Sequence, residues 1–368
     1  MNINLPEREK LNTQKLQRLF DNMSECYKLF WFQAIVEHVL NGNTLISYDS
    51  LLNTMIANAW YMVNEYKLNL GPSDTLEALV LDTQKLTGLK SSEKKETIIS
   101  VVRDLTDSNI IEKKRVLTYN VPYRLQSPFL SDIKGDKWRV NAKKLSTIIN
   151  EHEDIIYRFD NINGLKSSIR VDPTWEKYIC DNAGIIQGWI EYNMILYLQR
   201  RNPSVPGIPN KLKPPQERNL EKVRSLWVKI LDVKQINDIY SEQIVDPKNL
   251  SIDHFIPWSY VAHDELWNLN PTTKNINSKK SNNLPDWDLY FPRLQKQEYL
   301  VYEAIRDFPE IQYNFEKCSR EHINSIDVRR KLYASNLSEF EFYKNLEEII
   351  QPVYNSAKNM GFENWKLY

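Results

Sequence analysis

Apolar residues recur at helical spacing through most of the chain, with short polar breaks between the periodic stretches. Residues 27–40 (YKLFWFQAIVEHVL) are apolar almost all round, which predicts a buried helix. Residues 49–66 repeat apolar side chains at helical spacing and predict a second helix. Two further helices are predicted to begin near Ser73 and Ser92, because serine is a common N-cap.

The pattern changes between Val116 and Val140, where β-branched and aromatic residues predict a short strand pair that would suit a small winged element. Helical spacing returns at Asp172-Pro173, an N-cap and first-turn pair, and continues to Arg201. A proline-rich connector (residues 203–215) follows, and another helix is predicted from about Gln216 to Leu231.

The third part of the chain begins with shorter periodic pieces. Residues 236–245 and 249–257 are strand-like, a helix is predicted at 273–280, and helical spacing resumes beyond about Leu294. The predicted fold class is mainly α with a small α+β insert, in which a helical N-terminal region precedes the insert and C-terminal helices pack against it.

Composition narrows the class of protein only modestly. Lys+Arg and Asp+Glu both number 48, so global charge gives no argument for a polyanionic partner. No run approaches the roughly 18 to 20 apolar residues that span a bilayer, and the first residues are polar. We therefore expect a cytoplasmic protein with no membrane contact. The cysteines, Cys26, Cys180 and Cys318, are scattered and favour reduced core residues over disulfides or a cysteine zinc site.

The residues with candidate chemistry are concentrated between positions 251 and 285. A short strand ends at Pro257 and carries an adjacent carboxylate and imidazole, Asp253 and His254. Asn268 follows in a loop, and Asn277 follows on a short helix. Hydrolysis of a phosphodiester needs a hard cation held by oxygen ligands and a base that titrates near neutral pH. Asp253 with Asn277 offers the oxygen ligands, and His254 offers the base.

This segment resembles the HNH (ββα-metal) endonuclease family, most closely the version inside CRISPR RNA-guided DNA-cleaving effectors. The likeness runs without a gap from Asp253-His254 through Asn268 and Asn277 to Pro285. The preceding IYSEQI also resembles the Tyr-Ser turn that opens the first strand of that fold. The likeness covers about a tenth of the chain.

The resemblance implies a role for each matching position. His254 would be the general base, and Asp253 and Asn277 would bind a catalytic Mg²⁺ or Mn²⁺. Asn268 would hydrogen-bond the backbone of the loop that carries His254, and Lys280 would contact phosphate. The family often has zinc cysteines, which are absent here, so no structural zinc is expected. Ser278-Lys279 replaces its common Arg-Gly.

The domain organisation predicted on this basis has four parts. Residues 1–170 form a helical region with a short β element, for recognition or regulation. Residues 171–232 form a basic helical connector, residues 233–294 the HNH finger, and residues 295–368 C-terminal helices.

Basic residues could supply the contacts to the DNA backbone. Between Gln199 and Asp232 eight basic residues face three acidic ones, and Arg200 and Arg201 are candidate contacts together with Lys279 and Lys280. A second basic cluster lies between Lys134 and Lys144. Such runs are equally typical of solvated surfaces.

The remaining histidines and tryptophans have plainer interpretations. His38 is expected to be a core histidine, and His152 and His322 to be solvated. His263 is either an exposed loop residue or a substrate contact. Trp258 and Trp267 are expected to pack the finger rather than to stack on bases.

The function predicted is metal-dependent cleavage of DNA, favoured as double-stranded, in bacterial restriction or antiphage defence. One finger makes one cut, so a double-strand break would need a homodimer or sequential nicking. Two alternatives stay open. The finger binds DNA but has lost turnover, or the chain is an interaction subunit whose nuclease waits for an activating protein partner.

Overall fold

The computed structural model describes residues 4–21, 23–214 and 219–368. The chain divides into two compact units, and each is described separately below. The N-terminal unit comprises the residues up to Pro203 together with Leu212–Pro214, and the C-terminal unit comprises Ser204–Lys211 and the chain from Pro215 onward. Both are mainly helical with small β elements, as predicted.

The N-terminal unit consists mostly of helices, and two of the three strands described in it follow Asn150. Its helices and strands are α1 (Thr13–Gln17), α2 (Tyr27–Leu40), β1 (Leu45–Ser47), α3 (Tyr48–Trp60, ending in a π-helical turn at Tyr61–Glu65), α4 (Thr75–Thr87), α5 (Lys95–Asp104), α6 (Ser108–Thr118), α7 (Val121–Arg124), α8 (Ala142–Asn150), β2 (Tyr157–Asn161), β3 (Ser168–Val171), α9 (Pro173–Asp181) and α10 (Ala183–Arg201).

Helix α2 forms the centre of the N-terminal core, with the bounds that its apolar pattern predicts. It packs against α3, α9 and α10, so most of its apolar side chains are buried. Trp31 and Phe32 are fully buried. Full burial of aromatic side chains of this size is among the largest favourable contributions a core receives.

The predicted helix starts near Ser73 and Ser92 are displaced. The N-cap of α4 is Asp74, whose carboxylate accepts a hydrogen bond of 2.9 Å from the Glu77 amide. Helix α5 begins after Lys94, which forms no side-chain cap. An aspartate next to a serine is an equally good cap, and composition alone does not choose between them.

The predicted strand pair between Val116 and Val140 is wrong. That stretch contains the end of α6, helix α7 and short 3-10 helices. Its apolar residues form the buried side of short helices, as Leu117, Val121 and Tyr123 show. The sheet of this unit has the antiparallel order β1-β3-β2 and lies elsewhere in the chain.

The predicted helix start at Asp172-Pro173 is confirmed, because Asp172 accepts a hydrogen bond of 2.9 Å from the Thr174 amide. The helix is interrupted at Asn182, which separates α9 from α10. The Asn182 amide donates to the Tyr178 carbonyl at 2.9 Å, so its side chain ends the first helix.

The C-terminal unit has helices on either side of a small β element. Its parts are α11 (Glu221–Leu231), β4 (Leu250–His254), α12 (Trp258–Val261), β5 (Leu269–Thr273), α13 (Lys274–Lys280), β6 (Leu284–Pro285), α14 (Trp287–Asp307), α15 (Pro309–His322), α16 (Ile326–Leu332), α17 (Glu339–Asn359) and β7 (Asn364–Trp365). The predicted start of α11 at Gln216 lies outside the described residues.

Three predictions for this unit have different outcomes. The helices at 273–280 and beyond Leu294 are confirmed. Residues 236–245 form turns closed by a single bridge, Asn237 to Ile244, instead of a strand. The chain end returns to pair β7 in parallel with β6, which no local pattern predicted.

An apolar core packs between the β element and three helices. It joins α11, α14 and α15 to strands β4 and β5, through residues that include Trp227, Leu250, Leu269, Val301 and Phe315. The Trp227 indole N–H donates to the Leu269 carbonyl at 3.1 Å. The strands therefore rest on rigid helices, which is the arrangement that holds a site in precise geometry.

No described helix is long and apolar enough to cross a membrane. Cys26 and Cys318 are buried, as expected for core residues, whereas Cys180 is exposed.

Candidate active site

Strands β4 and β5 and helix α13 form one ββα element. The strands are antiparallel, with Asp253 opposite Asn270 and His254 opposite Leu269. Helix α13 follows β5 directly, with Thr273 as its N-cap, and packs against both strands. Because successive strand residues point to opposite faces, Asp253 and His254 have separate surroundings.

Asp253 is held between a strand, a turn and a helix. Its side chain is buried, and Oδ2 accepts a hydrogen bond of 2.5 Å from the Tyr240 hydroxyl. Oδ1 lies 3.2 Å from Lys280 Nζ. The same ammonium donates to the His254 carbonyl at 2.7 Å. Lys280 thus fastens the helix to the strand that carries both motif residues.

The electrostatics of this cluster follow from burial. Burial lowers the pKa of Lys280, and the Asp253 carboxylate opposes that shift. Burial and the same carboxylate raise the pKa of Tyr240 well above its usual value, so Tyr240 stays a neutral donor. Lys280 is 1% exposed, so in this structure it faces the carboxylate and not the solvent.

His254 has a carboxylate partner on the loop between the strands. Its Nε2 lies 2.7 Å from Asp264 Oδ1, and the side chains of His254 and Asp264 are 6% and 20% exposed. The Asp264 carbonyl in turn accepts a hydrogen bond of 2.8 Å from His322 Nδ1.

Asn268 closes the loop behind His254. Its side-chain N–H donates to the Ile256 carbonyl at 2.9 Å, and its side-chain oxygen accepts from the Ile256 amide at 2.7 Å. Its own carbonyl accepts from the Phe255 amide at 2.9 Å. These are the backbone contacts that the resemblance assigns to Asn268, and they fix the chain direction directly after His254.

Asn277 is attached to the same strand from helix α13. Its amide N–H groups donate to the Ser251 hydroxyl and the Ile252 carbonyl, both at 3.0 Å. No donor among the described residues bonds its side-chain oxygen. Since the two N–H bonds fix the amide, that oxygen has a defined direction in which to meet a ligand.

The donor set fits a partly hydrated divalent cation. Asn270 lies opposite Asp253 and is fully buried beside the Tyr240 hydroxyl, and among the described residues neither polar atom of its side chain has a hydrogen-bond partner of normal length. Buried amides without partners are rare and indicate a missing water or ion. No group of three or more His, Cys, Asp or Glu side chains that could hold a metal occurs within residues 4–21, 23–214 and 219–368. A cation that keeps several waters, such as Mg²⁺, needs only one or two protein oxygens.

A second aspartate supports the turn that carries Tyr240. Asp238 is buried, and its Oδ2 accepts a hydrogen bond of 2.5 Å from the Thr272 hydroxyl on β5. Its Oδ1 accepts from the backbone amides of Tyr240 and Ser241. Burial raises the pKa of Asp238. This turn is the Tyr-Ser turn noted in the sequence.

Residues of the connector contact the segment between β4 and β5. Lys211 is buried and donates to the Tyr260 carbonyl, and the Tyr260 hydroxyl donates to the Ser204 carbonyl at 2.9 Å. Burial lowers the pKa of Lys211 to about 7. Gly207 has φ +63°, and a Cβ there would lie 2.8 Å from that of Ala262, so a side chain at this position would push the loop away.

The basic candidates occupy different places. Lys279 is exposed on the end of α13, beside the buried Lys280. Arg200 and Arg201 belong to the N-terminal unit. The Arg201 guanidinium donates to the Tyr197 hydroxyl at 3.2 Å and to the Ser24 carbonyl, so it stabilises that unit.

The other four histidines have different surroundings. His38 bonds the Thr54 hydroxyl at 3.2 Å but is only half-buried, and His152 lies 3.6 Å from Asp132. The expectation that His322 is solvated is wrong, because it is 5% exposed. His263 is half-buried, with its pKa lowered mainly by burial, and Trp267 is buried in packing.

Sequence reasoning missed Asp264, Asp238 and Asn270. Asp264 lies in AHDEL between two motif residues, where any loop carries polar residues. Only the folded loop brings its carboxylate to the imidazole. A usable signal for Asn270 was a polar residue at a strand position that alternation predicts to face inward.

Residues 236–286 match the HNH endonuclease family. The match contains the whole ββα element and confirms the resemblance drawn from the motif. It extends no further, and the CRISPR-effector version in particular stays a prediction. No curated protein and no solved structure matches the chain.

Proposed function

We propose that this HNH domain is a divalent-metal-dependent endonuclease that hydrolyses phosphodiester bonds in double-stranded DNA. The observation that supports the proposal is the arrangement around strand β4. The buried carboxylate of Asp253 and the buried imidazole of His254 are neighbours on β4, and the amide of Asn277 is hydrogen-bonded to the same strand.

The chain's own residues divide the work. His254 takes the proton from the attacking water, and Asn268 keeps the loop behind that imidazole closed. Asp253 and Asn277 present the oxygen ligands for Mg²⁺ or Mn²⁺, with Asn270 close enough in register to hold a water. When bound, the cation polarises the phosphate and stabilises the leaving oxygen. Lys279, which is exposed, is better placed than Lys280 to meet a neighbouring phosphate.

The biological role that suits such an enzyme is bacterial restriction or antiphage defence, by analogy with the family. The N-terminal unit would then carry the recognition or regulatory function. Each finger makes one cut, so a double-strand break requires a homodimer or two successive nicks.

The test is cleavage of supercoiled plasmid by the full chain in Mg²⁺, with His254→Ala compared against His152→Ala as a surface-histidine control. General-base loss is expected to slow cleavage by about 10² to 10⁴, and EDTA should stop it until Mg²⁺ or Mn²⁺ is restored. Equal rates for wild type and His254→Ala would sink the proposal. A nicked circle that precedes the linear product indicates single cuts, whereas direct linearisation indicates a cooperating dimer.

A dormant, partner-activated nuclease is the second candidate, favoured by one observation. Both Asp253 oxygens are engaged, by Tyr240 and Lys280, in the isolated chain. A chain that binds DNA without cleaving it supports this candidate. Multiple turnover by the isolated chain contradicts it.

A further inference from the structure

The geometry points to Asp264 as the positioning residue of the nuclease centre, which selects Nδ1 of His254 as the nitrogen that accepts the water proton. This inference rests on the proposed function, because it assigns a role within the same site. The contact that carries it is the 2.7 Å hydrogen bond between His254 Nε2 and Asp264 Oδ1.

The chemistry of the partner fixes the ring. An ionised carboxylate accepts hydrogen bonds and donates none, so the Nε2 atom of His254 must carry the proton. In the neutral imidazole the lone pair then belongs to Nδ1. A ring held in the other tautomer would have no lone pair on Nδ1, and its Nε2 lone pair would face the carboxylate.

Contacts from the C-terminal helices hold Asp264 in place. His322, the last residue of α15, donates from Nδ1 to the Asp264 carbonyl at 2.8 Å. The next residue, Glu265, accepts from the Asn324 amide at 3.1 Å and from its side-chain N–H at 2.8 Å. His322 and Glu265 are both buried. The turn is therefore tied by contacts from two residues to the end of α15 and the segment that follows it.

The imidazole is also fixed from the strand side. His254 ends β4, and the chain immediately after it is closed by the Asn268 bonds to Ile256. With one end of the loop closed by Asn268 and its middle tied to α15, the ring and its carboxylate have little freedom to separate. Fixed orientation of a base contributes to rate because the reacting groups need not be arranged at each turnover.

The reaction step assigns each bond and proton. The water oxygen forms a bond to phosphorus, and the water proton moves to His254 Nδ1. The bond from phosphorus to the leaving sugar oxygen breaks, and that oxygen takes a proton from solvent. The His254 imidazolium then returns its proton to solvent, which restores the base. Asp264 neither gains nor loses a proton; it orients the ring and stabilises the imidazolium that forms.

The first measurement is the tautomer of His254 in the wild-type chain, by ¹⁵N NMR at pH 9. The chain has five histidines, and the missing signals in His254→Ala assign those of His254. The expected result is a protonated Nε2 and an unprotonated Nδ1. A wild-type ring protonated at Nδ1 overturns the inference, and this measurement does not depend on how any Asp264 variant folds.

The second measurement compares Asp264→Asn and Asp264→Glu with Asp288→Asn, an exposed aspartate on α14. In single-turnover cleavage, Asp264→Asn is expected to be slower by up to about 10⁴, the size seen when a carboxylate that orients a catalytic histidine is replaced. DNA affinity should stay within twofold, and Asp264→Glu should recover part of the rate. If Asp264 had a merely structural role, His254 would have the same tautomer in Asp264→Asn as in wild type.

The outcomes separate this inference from the proposed function. If His254→Ala cleaves like wild type, the proposed function fails. Suppose instead that His254→Ala is inactive, while Asp264→Asn and Asp288→Asn have the same cleavage rate and the same His254 tautomer. Only the role of Asp264 then fails.

Discussion

Lys280 Nζ lies 3.2 Å from Asp253 Oδ1 with both side chains buried, so the lysine acts as the resident counter-charge of the carboxylate that we assign to the metal. Removal of one partner from such a pair leaves an uncompensated charge in a poorly hydrated place. The ion pair is consequently a point where stability and metal binding are coupled.

Lys280→Met is expected to destabilise the metal-free protein by about 3 to 5 kcal/mol, because it removes one partner of a buried ion pair. Mg²⁺ should recover part of that loss by binding the carboxylate that has lost its ammonium partner. Chemical denaturation with hydrogen exchange of the β4 amides measures both effects, and Lys279→Met is the matched exposed control.

The double variant Asp253→Asn/Lys280→Met completes the cycle. Its loss should be smaller than the sum of the two single losses, because the second substitution removes a charge that is already unpaired. Strict additivity would mean that the two side chains do not interact across their 3.2 Å separation.

Asn268→Ala is expected to open the loop that carries the imidazole. The change leaves the Ile256 amide and carbonyl without the partners they have now, at a cost of about 1 to 3 kcal/mol for each buried group. Cleavage should fall more than DNA affinity, since we propose the phosphate contact at Lys279 on the end of α13. Asn275→Ala, on the exposed side of α13, is the control, and a variant indistinguishable from it in rate would refute this positional role.

The motif residues could be predicted from the sequence because their geometry is local. Asp253 and His254 lie on β4, Asn268 lies directly before β5, and Asn277 lies on α13, all within 25 residues. Their hydrogen bonds are made almost entirely to that same segment, so spacing alone determines which groups meet.

The partners from distant parts of the chain could not be predicted. His322 reaches the Asp264 carbonyl across 58 residues, and its charged neighbours in the sequence suggested a solvated ring instead. The strand pair expected at 116–140 failed for a related reason. Local β propensity there is overridden by burial of Leu117 and Tyr123 against neighbouring helices.

Glu298 is expected to lower the free energy of unfolding as pH rises. It is buried on α14, its Oε1 has no hydrogen-bond partner among the described residues, and burial raises its pKa from 4.5 to about 8. Between those values the folded state keeps a proton that the unfolded state releases. The free energy of unfolding therefore decreases as pH rises through that window, by up to about 1.4 kcal/mol per unit.

Glu298→Gln keeps the shape of the side chain and removes its charge. Relative to wild type, the variant should be nearly unchanged at pH 4.5 and increasingly more stable up to pH 8. Denaturation at several pH values checks this, with Glu347→Gln on α17 as the control. If the difference in unfolding free energy between variant and wild type stayed constant from pH 4.5 to 8, Glu298 would ionise normally. The Glu298 carboxylate also contributes to the raised pKa of Tyr333.

The basic run from Gln199 to Asp232 has less free charge than its count of eight cations against three anions suggests. Lys213, Lys222 and Lys229 pair with Glu191, Glu321 and Glu310, and Lys211 is buried. Arg224 donates to the Leu250 carbonyl. Charge that is already paired in the protein releases few counterions when DNA binds.

Lys279→Ala is therefore expected to weaken DNA binding more than Lys222→Ala, although the second residue belongs to the more basic stretch of sequence. Loss of one phosphate contact should reduce the slope of log affinity against log salt concentration by about 1, and should do so on any DNA sequence. Lys222→Ala frees the Glu321 carboxylate without removing a phosphate contact, so its slope should match wild type. Titrations at several salt concentrations with catalytically inactive His254→Ala as the background measure binding without cleavage. Equal slopes for the two lysine variants would place the phosphate contact away from the end of α13.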